Sequence, residues 1–575
     1  MKEFHQFYSF KCLTMKKNLL YISLLAVVLF PRTIFAVIPA SGPGENVILF
    51  TDRSIYITGE QVRFFASLWD GDDVNRPVQS EILYCEIVTP DGNKISSNKF
   101  PVSHSSVSGC VDIPPDILTG TYYLRAYTLL MRNYGPEVFG YQQIRIVNPS
   151  RAEVLASDKD QKSDSSQFTK SSSEVTTGIC SVSADKAVYA SRDSIRVTVR
   201  GTDGATAKIK SVCLSVVPES AESVPLIAPL ENQSHEKGNM YFAENRGLSL
   251  LGSLSYGDPE APLKSKKVNL SIMGEGREFM AVRTDSNGRF MFALPNYFGT
   301  RDLFLCAERL PLLKDVKIRV DNDFCTSPYN LPAPAFTLSE TERQTVFSMA
   351  QNVQINSHYK PESAVDSLKI KKEEKAFYGK PTAIIYLDQY IQLPTLEDYL
   401  NELPSQVKVR KHKNESYFSV IGSRDLSFYD PLVLIDWVAV DEPSKILAIS
   451  PQSVSRIEIV NEIYVKGDQT YGGIISIISK KGDFAGIDLP STGIFLNYRF
   501  LTENNCDKRI SSIQSNYPQA PNTLLWKPDI SLGANRTVDF SFCAPDMPGK
   551  YVMVLEWVSA NGELFSESST FEVSN

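Results

Sequence analysis

One pattern of twelve residues occurs twice in this chain, and such a repeat constrains the fold more tightly than any bulk property. Asp52-Arg53, Tyr56, Glu60, Val62 and Arg63 return in the same spacing as Asp185-Lys186, Tyr189, Asp193, Ile195 and Arg196. Around the first copy, Leu49 to Phe64 alternates apolar and polar residues and breaks at Gly59, as a half-buried strand ending in a turn would. Thr121–Leu129 is a second β-rich run behind Gly120. Short strands, frequent turn signals and no helical period predict an antiparallel β-sandwich over 46–148. The repeat predicts another over 178–245. Between them 150–177 is dense in Ser, Lys and Asp and almost free of large apolar residues, which predicts a solvated linker. The acids Asp52 and Glu60 lie beside turn signals, so a solvated rim or local ion pairs are expected of them rather than catalysis.

The first segment resembles a macroglobulin-type domain of the alpha-2-macroglobulin family through Asp52, Tyr56, Gly59-Glu60 and the run Gly120-Thr121-Tyr122-Tyr123-Leu124-Arg125-Ala126. The Gly-Cys-Gly-Glu-Gln thioester with which that family captures proteases does not occur. Residues 246–325 resemble a carboxypeptidase regulatory-like domain, another small sandwich, most clearly in Thr284-Asp285-Ser286-Asn287-Gly288-Arg289-Phe290. Asn287-Gly288 between alternating segments predicts a hairpin with a type I′ turn. The resemblance implies no peptidase, because the zinc ligands of that family belong to a separate domain. His5, His104, His235, His358 and His412 stand apart, without metal-site spacing. A connector with helical portions is expected over 326–379, one helix opening at Thr337-Leu338-Ser339-Glu340; the charged run 371–375 is expected to be a solvated face.

Over 380–485 the pattern becomes α/β. Ala383–Leu387, Leu432–Ile435, Ile457–Val460 and Ile474–Ile478 predict strands, Thr395–Leu400 a capped helix, and Ser450-Pro451 the start of another. Ile435-Asp436, Pro451–Ile459, Tyr471-Gly472-Gly473-Ile474-Ile475 and Lys480-Lys481-Gly482 resemble the plug domain of TonB-dependent outer-membrane receptors. Trp437 stands where that pattern has Gly, and the usual Asn between Tyr471 and Ile474 is missing. From Asp483 onward 93 residues follow, whereas a 22-strand barrel needs roughly 200 before loops are counted. The plug-like domain is therefore expected to serve for structure or docking. Asp436, Glu458 and Lys480-Lys481 would be fold or surface residues, not a substrate gate.

Residues 486–575 return to sandwich grammar, with Trp526 expected as a core aromatic on a strand. At the other end Lys16-Lys17, the apolar run Leu19–Phe30 and Ala36 predict a secretory leader over 1–36, and Met15 offers a second start. Cys12 belongs to the leader. The other eight cysteines fall in sequence-adjacent twos, Cys85 with Cys110, Cys180 with Cys213, Cys306 with Cys325 and Cys506 with Cys543. In an oxidising compartment these are candidate disulfides among the 105 pairings that eight cysteines permit; free buried thiols are the equal alternative.

A net charge of −7 gives no basic footprint for nucleic acid. Nucleophile elbows, phosphate loops and dinucleotide loops are absent from the sequence. The expected fold class is mainly β: tandem antiparallel sandwiches of macroglobulin or immunoglobulin type plus one small α/β plug-like domain. No enzymatic activity, cofactor, metal or membrane span after the leader is expected. The expected role is a binding or scaffold accessory of the Gram-negative envelope, in the periplasm, on the outer membrane or at the cell surface, with protein partners such as an outer-membrane transport or assembly complex. A protease-interacting macroglobulin relative and a surface glycan-binding protein are the alternatives.

Overall fold

The computed structural model describes residues 44–574 apart from 72, 156–178, 203–208, 224–239, 275–276, 311, 314, 328, 360–375, 413–414, 505, 507–517, 533–535 and 560–563. The expected leader and nearly all of the expected linker lie outside these residues. What is described is mainly β, as expected.

The first eight strands are β1 (Glu45–Thr51), β2 (Ile55–Ile57), β3 (Gln61–Asp70), β4 (Ile82–Val88), β5 (Lys94–Pro101), β6 (Ser106–Asp112), β7 (Gly120–Tyr127) and β8 (Gly140–Val147). They form two sheets, ordered β1-β3-β6 and β2-β8-β7-β4-β5, with β2 and β8 parallel. Four more strands follow: β9 (Cys180–Ala184), β10 (Val188–Ala190), β11 (Ser194–Gly201) and β12 (Ile209–Pro218). Their partners come from much later in the chain.

Before those partners the chain builds two other units. The first contains β13 (Ser249–Tyr256), β14 (Ala261–Pro262), β15 (Lys267–Ile272), β16 (Glu278–Arg283), β17 (Arg289–Ala293), β18 (Thr300–Ala307) and β19 (Lys317–Val320). The helix α1 (Glu340–His358) comes next, and then the α/β unit. That unit comprises β20 (Ala383–Tyr386), α2 (Leu396–Glu402), β21 (Val407–His412), β22 (Glu415–Val420), β23 (Leu432–Ile435), β24 (Val438–Ala439), α3 (Pro443–Leu447), β25 (Val454–Val460), β26 (Tyr464–Lys466), β27 (Gln469–Tyr471) and β28 (Ile474–Ser479). Next, β29 (Ile494–Arg499) returns to pair with β18 and completes the sheet β16-β15-β18-β29.

Only then do β30 (Leu525–Lys527), β31 (Thr537–Cys543), β32 (Gly549–Ser559) and β33 (Leu564–Ser574) arrive. They complete the sheets β9-β11-β31 and β10-β33-β32-β12-β30, with β10 and β33 parallel. Strand for strand this is the order of the first sandwich. The second sandwich is thus a copy of the first, interrupted between its fourth and fifth strands by everything from Glu219 to Leu524. The separate sandwiches expected at 178–245 and 486–575 are corrected accordingly: four strands of each form one domain, and β29 belongs to another.

The repeated residues explain why two distant sequences adopt one fold. Asp52 Oδ1 accepts from the Tyr56 hydroxyl at 2.7 Å and the Arg63 amide at 3.2 Å; Asp185 Oδ1 accepts from the Tyr189 hydroxyl at 2.5 Å and the Arg196 amide at 3.0 Å. Likewise Glu60 takes the Ile57 amide at 2.7 Å and Asp193 the Ala190 amide at 3.0 Å. Each closing Gly-x-Tyr also bonds back four residues, Tyr122 to the Leu118 carbonyl and Tyr551 to that of Met547, in the manner of a tyrosine corner. These clasps satisfy turn amides that would otherwise be orphaned.

Of the two expectations for the first copy, a solvated rim or local ion pairs, the structure shows the ion pairs, and it buries them. Asp52 and Arg53 are buried, and Arg53 pairs with both Asp52 (3.0 Å) and Glu60 (2.7 Å). Thr523 on the returning segment donates to Asp52 at 2.6 Å, and Asn522 donates to Glu60 at 2.8 Å and to the Met349 carbonyl at 3.1 Å. Met349 lies on α1, which starts at Ser339 with a full capping box to Glu342 and packs Val346 and Met349 against Ile55, Ile57 and Ala221. One helix thus ties the repeated motif to the returning chain.

One disulfide is formed among the described residues, Cys110–Cys506, with a Cα–Cα distance of 5.8 Å. It fixes β6 of the first sandwich to the segment that follows β29. The expected pairings of Cys85 with Cys110, Cys180 with Cys213, Cys306 with Cys325 and Cys506 with Cys543 are corrected: the other six thiols are free, five buried and Cys543 half-buried. The reason is orientation. Cys180 points into its own sandwich core, while Cys213 points out of it toward Phe50 and Phe65; Cys306 packs with Phe304 and Val438, while Cys325 joins the core shared with the first sandwich. Trp526 is buried as expected, in the contact between the two sandwiches beside Phe50 and Phe65. Asn287-Gly288 is not a hairpin, since β16 and β17 lie in different sheets. Asp285 caps the turn by accepting from the Asn287 and Arg289 amides, and only Gly288 is left-handed.

Candidate docking surface

The α/β unit has one mixed sheet, ordered β20-β25-β28-β23-β24, in which β23 and β28 run parallel. Its central strands β23 and β28 are buried on both faces, which is why they read as continuous Val and Ile rather than as alternation. On one face Ile457, Ile459, Ile475 and Ile477 pack under α2, α3 and the β21–β22 hairpin through Tyr399, Ile446 and Phe418. On the other, Leu432, Leu434 and Ile474 pack against Phe279 and Ala281 of β16. Two turns prefigured in the sequence hold this shape. Thr395 caps α2 with a capping box to Asp398, and the chain reverses between β23 and β24 at Asp436-Trp437.

Both residues of that reversal are left-handed, with φ of 43° and 73°. Trp437 therefore occupies a conformation that favours glycine. Its indole is buried and packs on Phe377 and Tyr378 with ring centroids 6.0 and 5.6 Å away. Asp436 accepts from the Ser479 amide (2.8 Å), the Ser479 hydroxyl (2.6 Å) and the Phe484 amide (2.9 Å), locking the turn to the end of β28. Glu458 accepts from the Tyr378 hydroxyl at 2.5 Å and Arg456 at 2.6 Å. Lys480 and Lys481 are exposed. Asp436 and Glu458 are thus engaged within the unit, and the two lysines lie at its surface.

Chemistry was sought elsewhere in the molecule. Burial lifts Glu244 to about 7, where it accepts from the Tyr84 hydroxyl and the Ser249 amide. Nearby Lys99 is bonded to Asp323, Tyr498 and the Arg499 carbonyl, and burial lowers its pKa. These groups pin the first sandwich to the unit that follows it. A cleft of about 440 Å³ lies between Cys306–Leu310 with Leu313, Asp315 and Val316, the pair Asp441-Glu442, and Pro490–Thr492. Three of its carboxylates are paired, Asp441 with Lys267 at 3.5 Å, Glu308 with Lys266 at 3.7 Å and Glu442 with Lys445 at 3.0 Å. A second cleft of about 590 Å³ lies between the sandwiches and holds Lys210, which burial lowers to about 8 and which donates to the Leu68 and Val74 carbonyls. Among the described residues no three His, Cys, Asp or Glu side chains are grouped as metal ligands. His104, His358 and His412 are exposed, and His5 and His235 lie outside the described residues. None of the described helices is long and apolar enough to cross a membrane.

What the α/β unit does display is apolar surface. Ile421, Phe428, Tyr429, Ile463 and Val465 are 43, 75, 45, 41 and 60% exposed. They lie on the 421–430 loop and on the 460–473 segment. Gly422 lies against the Asn461 carbonyl and Gly472 against those of Leu426 and Tyr429, so the 421–430 loop is pressed onto the 460–473 segment. A side chain at Gly472 would meet backbone oxygens at 2.1 and 2.4 Å, which is why glycine stands there. Asp425, Asp430 and Glu462 are exposed at the rim. Sequence reading missed these residues, because they come from two separate segments that only the fold brings together.

The fold defines a multidomain, mainly β protein in which a split sandwich carries an inserted α/β unit. Among solved structures, the chain is similar to a mutant of Salmonella alpha-2-macroglobulin at 10% identity, with 93% of this chain and 40% of that one covered and a TM-score of 0.23. It is similar to trypsin-activated alpha-2-macroglobulin from Escherichia coli at 9% identity, with 93% and 42% covered and the same TM-score. The chain thus spans about two fifths of the length of these structures. No family model matches the chain, and no curated protein does.

Proposed function

We propose that the protein works by binding other proteins, as an exported accessory or scaffold of a Gram-negative envelope. The observation that carries this is the apolar patch at Phe428 and Val465. Large exposed apolar side chains beside a polar rim mark interaction sites, and here they are displayed on two segments that the fold presses together. The leader-like N-terminus and the Cys110–Cys506 disulfide support export to an oxidising compartment. An outer-membrane transport or assembly complex is the partner class this reading favours.

The test is a comparison of variants isolated from the native envelope after cross-linking. Phe428→Ser with Val465→Ser should leave melting behaviour unchanged, since both side chains are exposed, and should remove cross-linked partners. Partners recovered equally well by this variant would overturn the reading.

A further inference from the structure

Lys99 of β5 is a charged side chain only 1% exposed, opposite Tyr84 of β4 and in the contact between the first sandwich and the unit that follows it. A buried ammonium is costly unless it is fully paired. Its Nζ donates to Asp323, to the Tyr498 hydroxyl at 3.0 Å and to the Arg499 carbonyl at 2.9 Å. Aromatic rings shield it from water: Nζ lies 4.1 Å from the ring centre of Tyr498 and 5.8 Å from that of Phe324.

The segment carrying Asp323 is fastened to the first sandwich on both sides of the contact. Arg132 donates to the Asp323 carbonyl at 2.9 Å, and the Cys325 amide donates to the Tyr127 hydroxyl at 2.8 Å. A third ionisable group, Glu244, is 2% exposed and near enough to Lys99 and Asp323 for the charges to act on one another. Its Oε1 accepts from the Tyr84 hydroxyl at 3.1 Å and the Ser249 amide at 2.6 Å, whereas its Oε2 is buried with no hydrogen-bond partner. A salt bridge between Lys99 and Asp323 has no need of this second carboxyl. Burial lowers Lys99 and lifts Glu244 to about 7, driving each toward its neutral form: an amine able to attack and a carboxyl able to carry protons.

We propose that Lys99 and Asp323 are joined by an intramolecular amide bond, which the folded chain forms itself with Glu244 as the proton carrier. The bond between Nζ and Asp323 Cγ forms and one Cγ–Oδ bond breaks. Starting from ammonium and carboxylate, two protons leave Nζ and depart with the released oxygen as water, so no oxidant and no activating group is consumed. Glu244 takes a proton from Nζ and returns one to the departing oxygen. Holding the amine against the carboxyl, away from solvent, supplies the proximity that amide formation lacks in water. The product also removes two charges from a buried contact. It ties β5 to the segment after β19 across a sequence separation of 224.

The experiment is mass spectrometry of the purified full chain after reduction and trypsin digestion; it needs no partner, so its outcome is separate from that of the cross-linking test. Trypsin does not cut at an acylated lysine. Residues 95–125 should therefore be recovered joined to residues 320–343, lighter than the sum of the two peptides by one water, about 18 Da. Lys99→Met and Asp323→Ala should each abolish the joined species. Glu244→Gln, isolated with Cys110–Cys506 formed as a sign that it has folded, should yield the two peptides separately. A wild-type chain whose two peptides are recovered separately overturns the proposal, and a Glu244→Gln chain joined as completely as the wild type overturns the role given to Glu244.

Discussion

Glu556 offers the sharpest quantitative test of the split sandwich. It lies on β32, opposite Cys213 of β12, on the outward face that packs against the first sandwich; the two strands are brought together only because the domain closes around its insert. The carboxyl is 1% exposed, its Oε1 has no hydrogen-bond partner, and burial together with the nearby Glu222 charge lifts its pKa to about 8. The folded pKa is raised above the unfolded value near 4.5, so the folded state holds the proton longer. Stability is full below the unfolded value, falls as pH rises, and stops falling above about 8. The rise of about 3.5 pH units corresponds to about 5 kcal/mol at most, and to about 3 kcal/mol by pH 7. Glu556→Gln removes this titration. In urea unfolding followed at pH 5.5 and 8.5, the wild type should lose about 3 kcal/mol more than the variant between the two conditions. Taking the difference between the two proteins cancels other titrating groups, including Glu244. Equal pH dependence in the two would show that Glu556 is not buried in that contact, and the closure of β12 on β32 against the first sandwich would be wrong.

Non-reducing peptide mapping should return Cys110 linked to Cys506, and Cys110→Ser should cost about 2–4 kcal/mol in denaturant unfolding. Asp52→Ala should be far more damaging than Asp185→Ala, about 3–5 against about 1 kcal/mol, because Asp52 is buried with Arg53 while the second copy lies at the surface; thermal unfolding of the two variants gives the ranking. Gly472→Ala should unfold the 421–430 loop from the 460–473 segment, since its methyl would overlap backbone oxygens at 2.1 and 2.4 Å; hydrogen exchange should rise in those two segments first.

Much of this fold is written in short-range signals. Ser339 and Thr395 start helices where a capping residue precedes an acid, and β23, β25 and β28 appear where Val and Ile cluster between turn residues. Such signals act within a few residues, and the split of the second sandwich acts across some three hundred, from β12 to β30. No local preference encodes which distant strand completes a sheet. The repeat held the missing clue: 178–245 yields four strands where its twin has eight, and Gly549-Lys550-Tyr551 matches the closing Gly120-Thr121-Tyr122. The disulfide was hidden for the same reason, because its sequence separation is 396. Asn287-Gly288 misled because a turn between two sheets uses the same residues as a hairpin turn. The docking patch left no pattern at all, being assembled from two segments some forty residues apart.

Binding through the end of the α/β unit is tested most directly by a photo-reactive residue at position 428, irradiated in cells. Adducts to one protein from position 428, and none from position 539 on the polar sheet of the second sandwich, are the expected result. Adducts of equal yield at both positions, or none at 428, would refute it.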